Sequence, residues 1–448
     1  MVSSQSLSSS DSHHGHIGTM RRVLLGIGYF VQGLRCFPWM AVNFFLKDGL
    51  YLEPSTLQIL QNSSNLPMVA KPFYGILSDS LYIFHQHRIP YIALGAFLQA
   101  VSWFAIAFLS PSSISFLSIT LYLLLGNLGA SIVEVANDAI VAETGKQPTP
   151  SSKNSQSSSS GQLQSYVWMA SSVGGVLGNL VGGLSIDRLS AQTIFLVFGI
   201  LLTIQFFITI FIRESSLDLP KSPANLGIRK QLSELVVALQ KPEISHSIAW
   251  FAASYAIIPA LTGTMFFYQT RYLKIESSLL GISKVFGQAT MLLWGVVYNR
   301  HLKSIPPRKL IAAIQATMAF LMISDVLFVK GMYQKMGIPD SLYVVVISGF
   351  LEVLYFFKIL PFSVLMSKLC PAGCEGSVMA FLMSAVALAF ILSGYLGVAL
   401  AAYVGVTGDD FSGLPLGLLI QAVFTVLPLY WSSCIPDDAS LNTKKKEN

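Results

Sequence analysis

The chain has 448 residues, a net charge of +6, 53% hydrophobic and only 11% charged residues, and a mean hydropathy of +0.61. Soluble domains carry about 25% charged residues, so this balance excludes a soluble globular chain and leaves a polytopic membrane protein. The basic excess does not mark a nucleic-acid binder, because the Lys and Arg residues are scattered singly along loops and the tail.

In chain order, residues 1–21 are rich in Ser and His with a single acid, Asp11, and read as a disordered segment. They lack the apolar core of a secretory signal. Their composition allows a plastid presequence, although a short one, and with it a plastid envelope as host membrane. Apolar stretches of about 20 residues, the length that crosses a bilayer, then recur. The predicted helices cover 22–46, 55–78, 88–110, 113–142, 162–184 and 191–212, then 243–270, 278–300, 308–330, 341–367, 376–403 and 411–434. Twelve spans place both termini on one side. Most of the 28 Lys and Arg residues then fall on the cytoplasmic side, as the positive-inside rule requires, while Arg35, Lys71, Lys284 and Lys358 fall within spans.

The organisation follows. Residues 22–212 form an N-terminal six-helix bundle, interrupted by a Ser-rich loop at 144–161. Residues 213–242 form a cytoplasmic linker in which 229–240 makes a short surface helix. Residues 243–434 form a second six-helix bundle, and 435–448 a polar tail.

Gly75 and Asp79 end the second span as Gly-x-x-x-Asp, a close-packed turn between spans, and Gly295 to Arg300 ends the eighth at the corresponding place. Gly161 and Gly376 open the fifth and eleventh spans in the same way. This internal duplication predicts an all-α major facilitator fold, two six-helix halves with substrate between them at mid-membrane. The small residues Ser171, Ser172, Gly174, Gly175, Gly178, Gly182 and Gly183 let helix backbones approach closely.

The charges within spans carry the functional reading, since an ionisable group at membrane depth is costly and usually has a task. Glu134 and Asp138 lie four apart and share a helix face. Two desolvated carboxylates on one face do not both ionise easily, which is the property a proton-coupled carrier needs; a fixed ion pair with Lys71 or Arg35 is the structural alternative. Lys71 is placed to contact cargo or to balance Asp138. Arg35 and Lys284 supply further cations, and Arg holds a carboxylate through two parallel hydrogen bonds. Lys284 also has the option of extending its amine toward the membrane surface. Asp79 caps a neighbouring helix or pairs with a loop base, and Glu143 makes a gate or packing contact. Glu352 and Lys358 are six apart, which is not a same-face spacing, and neither reads out a role.

Other chemistries find no residues to carry them. No Gly-x-x-x-x-Gly-Lys-Ser/Thr motif is present, so direct drive by ATP is not expected. His85, His87, His246 and His301 have no matching nucleophile or metal set, so no enzyme activity, metal or cofactor is expected. Cys370 and Cys374 alone are too few for structural zinc.

Several segments resemble the folate-biopterin transporter family of the major facilitator superfamily, found in plants, cyanobacteria and protozoa. They are Tyr29-Phe30-Val31-Gln32-Gly33 and Phe44-Phe45-Leu46-Lys47-Asp48 in the first span, and Leu66-Pro67 with Lys71-Pro72-x-Tyr74-Gly75-x-x-Ser78-Asp79 in the second. The acidic pair of the fourth span and Leu369-Cys370-Pro371-x-Gly373-Cys374-Glu375-Gly376 before the eleventh complete the likeness. The chain departs from it at Glu134, where the family favours aspartate. The resemblance implies a secondary transporter of folates or pterins, working by alternating access and coupled to protons, with the lipid bilayer as its surroundings. Folate carboxylates would then meet Lys71, Arg35 or Lys284, and a flat pterin would stack on Trp39, Tyr74, Trp168 or Phe266, residues that ordinary packing also explains. A carrier for another organic anion and a non-transporting receptor of the same fold remain the competing readings.

Overall fold

In the computed structural model, residues 3–84, 86–109, 115–145, 156–217, 228–302, 304–369 and 375–436 are described, and they are helical nearly throughout. Helix is what lipid demands, because every backbone N–H and C=O there must find a partner inside its own segment. Eight helices are long and apolar enough to cross a membrane: Ile89–Phe108, Phe116–Thr144, Ser165–Ile186, Ala191–Phe211, Ser277–Leu302, Pro307–Val329, Asp340–Met366 and Val378–Tyr403. Leu414–Tyr430 is a shorter apolar helix. The first, second and seventh spans are present as broken helices, which completes the twelve among the described residues.

The breaks have a common cause. Proline lacks the N–H that would bond the carbonyl four residues earlier, and its ring clashes with that carbonyl. Pro38 thereby frees Leu34, where the helix Ser3–Leu34 ends before Cys36–Phe44 resumes. Pro259 acts near the end of Pro242–Ala256, before Thr262–Phe267 continues the seventh span. Pro361 frees Phe357, where Gly349–Phe357 ends before Ile359–Leu369. Pro67 lies in the tighter turn Leu66–Ala70 that separates Pro54–Ser64 from Lys71–Ser80. Arg35 and Lys358 are each the residue after the freed carbonyl, in the matching segments Arg35-x-x-Pro38 and Lys358-x-x-Pro361.

Three expectations change. Helical backbone starts at Ser3 rather than at residue 22, because extending a formed helix costs far less than nucleating one. Gly75-x-x-x-Asp79 is the end of a helix rather than a turn. A Cβ at Gly75 would meet Val135 at 3.5 Å, and one at Gly295 would meet nothing within 4 Å, so neither position is crowded. Close approach lies elsewhere: a Cβ on Gly33 or Gly174 would fall on the backbone of Ser171 or Phe30, which locks the first span against the fifth.

The chain forms two compact units that differ from the contiguous halves predicted. One comprises Met1–Trp39, Lys71–Gly178 and Gln192–Lys230; the other comprises Met40–Ala70, Asn179–Ala191 and Gln231–Asn448. Within the second, Gln58 explains why the segment at 40–70 belongs there. Its amide nitrogen donates to Ala260 O at 2.7 Å and Gly394 O at 2.6 Å, and its oxygen accepts from Gly263 N at 2.8 Å, so one side chain ties the backbone just after Pro259 to the helix that carries Gly394. The expected surface helix is Ile228–Leu239. Cys370, Cys374, His85, most of the Ser-rich loop, part of the linker and nearly all of the tail lie outside the described residues.

Candidate functional site

The break at Pro38 turns Arg35 toward the fourth span, and the break before Pro72 starts a new helix at Lys71. Both cations converge on Glu134. Arg35 Nη1 lies 2.8 Å from Glu134 Oε1, and Lys71 Nζ lies 2.6 Å from Glu134 Oε2. Arg35 Nη2 also donates to Asn127 Oδ1 at 2.7 Å. One carboxylate thus serves two cations, with the Asp138 carboxyl one turn along the same helix within electrostatic reach of Lys71. The side chains of Arg35 and Lys71 are 17% and 24% exposed, so both remain within reach of a ligand.

Asp138 sits one turn further along the same face and is exposed. It accepts a hydrogen bond from the Tyr29 hydroxyl. Lys71 makes its direct contact with Glu134, which takes one cation with each oxygen, and Asp138 feels the Lys71 charge without touching it. Behind the cluster, Gln32, Gln99 and Gln205 line a cavity of about 10 Å³ with Arg35 and Glu134, room for about one water. The buried amide oxygens of Gln32 and Gln205 have no hydrogen-bond partner among the described residues. The amides and Tyr29 have no signal in the pattern of charges; a polar residue amid an apolar span was the available clue.

At the end of the second span, Asp79 pairs with Arg88 within the same unit. Arg88 Nη2 also meets Glu143 at 2.5 Å. His87 Nδ1 lies 2.5 Å from Glu214 Oε1, and its Nε2 lies 3.7 Å from Glu143. The second oxygen of Glu214 accepts from the backbone N–H groups of His87, Arg88 and Ile89 at 3.0, 2.8 and 3.3 Å. These donors open the helix Ile89–Phe108, where a negative charge is favoured. Burial pushes the His87 imidazole down, but the nearby Glu143 and Glu214 carboxylates outweigh it and bring its pKa to about 9. Burial likewise opposes ionisation of Glu214, yet the bonds from His87 and the backbone hold it below the usual range. This cluster fixes a span end and is chemically closed.

In the second unit, Lys284 pairs with Glu352, and both are exposed enough to see water, at 41% and 50%. Trp39 packs edge-on to Trp103, and Phe266 to Phe44; Trp168 is exposed. Glu375 and Gly376 open the helix Glu375–Tyr403, and their side chains lie outside the described residues.

Residues 32–448 match the BT1 family. The chain is 62% identical to the probable folate-biopterin transporter 7 of Arabidopsis thaliana over 98% of its own length and 99% of the relative's. It is 44% identical to the probable chloroplastic folate-biopterin transporter 8 of the same plant, over 92% of this chain and 75% of that one. The folate-biopterin transporter of Synechocystis is 28% identical over 94% and 83%. The structure resembles that of a D-xylose–proton symporter, with a TM-score of 0.67 at 14% identity over 94% of this chain and 98% of the other. It also resembles the nucleoside transporter NupG, with a TM-score of 0.64 at 14% identity over 93% and 98%. At that identity the likeness shows the fold, which is that of the major facilitators. This chain is a multi-pass membrane protein, not an enzyme, and belongs to the BT1 family of folate-biopterin transporters.

Proposed function

We propose that this protein is a secondary carrier for folates or pterins, working by alternating access and drawing on a proton gradient. The observation that carries the reading is the convergence of Arg35 and Lys71 on Glu134 within membrane-spanning helices, where both cations stay partly exposed. Cations at membrane depth are costly, and they mark substrate pathways. A folate brings glutamate carboxylates of the required sign, and Arg35 offers a planar fork suited to one of them. The names borne by its relatives agree with this cargo. Asp138, exposed and held by the neutral Tyr29 hydroxyl, is the group we assign to proton coupling.

The test is uptake into folate-auxotrophic cells that express this chain, using labelled folic acid, 5-formyltetrahydrofolate and biopterin. Accumulation of at least one above the vector control, collapsed by an uncoupler, is the expected result. Uptake indifferent to the pH gradient would remove proton coupling. No uptake of any of the three, with the protein present in the membrane, would remove the cargo assignment.

A further inference from the structure

Asp325 is an acid of the ninth span, Pro307–Val329, and only 7% of it is exposed. No Lys or Arg lies within ion-pairing distance of it among the described residues. Its Oδ1 accepts a hydrogen bond from the Tyr343 hydroxyl at 3.0 Å. That hydroxyl is bonded in turn to Ser324 Oγ at 2.9 Å, and Ser324 Oγ to the Tyr333 hydroxyl at 2.8 Å. Either oxygen can donate in both bonds of Ser324. An unbroken string thus runs from a buried carboxyl to Tyr333, half-buried in the turn Met332–Lys335, whose other residues are exposed.

Packing holds the string in place. The Tyr343 ring stacks on Phe328 at 4.1 Å and on Tyr333 at 5.0 Å between centroids. One turn before Asp325, Met322 packs with Ile258, Leu351 and Ala422, which leaves the hydroxyls as the polar way out. The other groups around this site are neutral or engaged elsewhere. Tyr355 of the tenth span feels the Asp325 charge and accepts from Gln421 Nε2 of the twelfth at 3.3 Å. Tyr268 of the seventh span reaches Val329 O at 3.5 Å. Lys358 Nζ bonds Gln315 Oε1 at 2.7 Å, well before Asp325 on the ninth span. Lys330, Lys335 and Asp340 stand outside the string, and Asp340 accepts from Gln334.

An ionised carboxyl buried without a cation is costly, and such a group takes up a proton instead. We propose that Asp325 is a proton-binding site, filled at neutral pH through the hydroxyls of Tyr333, Ser324 and Tyr343. In the ionised form every bond in the string points at the carboxylate. A hydronium ion at the far end gives a proton to the Tyr333 oxygen, and Tyr333 passes its own hydrogen to Ser324 Oγ. Ser324 passes its hydrogen to the Tyr343 oxygen, and Tyr343 passes its own to Asp325 Oδ1. Each hydroxyl oxygen gains one O–H bond and loses one, and the carboxyl ends neutral with the string pointing the other way. Ionisable groups within spans commonly serve such relays. The site belongs to the other compact unit from Asp138 and involves no cargo, so it does not depend on the carrier reading.

The test is infrared spectroscopy of the purified full chain in lipid nanodiscs, without cargo. The wild-type protein should show a protonated-carboxyl C=O band at neutral pH that is missing from Asp325→Asn, whose amide oxygen still accepts from Tyr343. In heavy water the band shifts as the proton exchanges. Tyr343→Phe, which keeps the ring stack but cuts the string, should slow that shift severalfold. Identical carboxyl bands in wild type and Asp325→Asn would overturn the site, and equal exchange in wild type and Tyr343→Phe would overturn the relay. Should Asp325→Asn not fold, wild type and Tyr343→Phe are compared after isotopic labelling of the aspartate carboxyls. Loss of the Tyr343 bond must then shift a labelled C=O band, and identical spectra would overturn the proposal. Failure of folate and pterin uptake would remove the carrier reading and leave these spectra as they are.

Discussion

Arg35 and Lys358 occupy the same local setting in two different spans, each one residue past a carbonyl freed by a proline, yet the surroundings treat the two charges in opposite ways. Arg35 has a carboxylate, Glu134, that it shares with Lys71, and the cluster stays partly exposed. Lys358 has neutral acceptors and an aromatic face, and is sealed. A proline kink does not dictate a charge's role. It breaks the regular helical ladder locally and presents one side chain at membrane depth; the neighbours decide whether that side chain is ready to exchange partners or is held. Arg35 belongs to the first kind and Lys358 to the second.

The comparison breaks most sharply at Glu134. Glu134→Ala leaves Arg35 and Lys71 facing each other without a carboxylate. Removing one partner of a buried pair costs about 3–5 kcal/mol, so thermal unfolding of the purified protein should drop steeply and uptake should vanish. Unchanged stability in that variant would mean the pair does not hold the spans.

A buried cation that has its carboxylates sharpens the contrast. His87 sits between Glu143 and Glu214 with its pKa raised to about 9. A raised pKa adds stability that is complete below the unfolded value of about 6.5 and is lost as pH rises through about 9. The full effect is roughly 3 kcal/mol. Melting temperature should therefore fall between pH 7 and pH 9.5, and His87→Ala should flatten that slope while being less stable at pH 6.5. A wild-type curve that rises over this range would contradict the pairing.

Lys358→Met should behave unlike Glu134→Ala. A buried charge replaced by an apolar side chain of similar length is often neutral or stabilising by about 1–4 kcal/mol, so the melting temperature should hold or rise. A marked fall would show that the amine's neutral cage contributes to folding. The smallest effect belongs to Lys284→Ala. An exposed ion pair contributes about 0–1 kcal/mol, and both stability and uptake should stay near wild type.

Much of the fold was legible because the bilayer writes it into length and polarity. Apolar stretches near 20 residues, positive loops and a central hydrophilic stretch yield twelve spans without any packing information. The helix breaks at Pro38, Pro67, Pro259 and Pro361 were legible too, had each proline been set against the carbonyl four residues before it. Of the site, Arg35, Lys71 and Glu134 stood out as charges in apolar spans. Their partnering did not, because which oxygen meets which cation depends on where a kinked helix points. Tyr29, Asn127 and the glutamines at 32, 99 and 205 were harder still, since a single uncharged polar residue in a span is common. Lys358 was visible as a charge but unreadable as a role: its cage comes from Ser254, Tyr255 and Gln315, residues from two other spans that no local spacing connects to it.

Initial uptake of labelled 5-formyltetrahydrofolate into proteoliposomes, compared between the wild-type chain and Lys71→Gln at matched protein content, tests most directly whether the cation beside Glu134 receives the cargo. The account predicts rapid uptake by the wild-type protein and at least a tenfold loss in the variant. Equal rates in the two would contradict it.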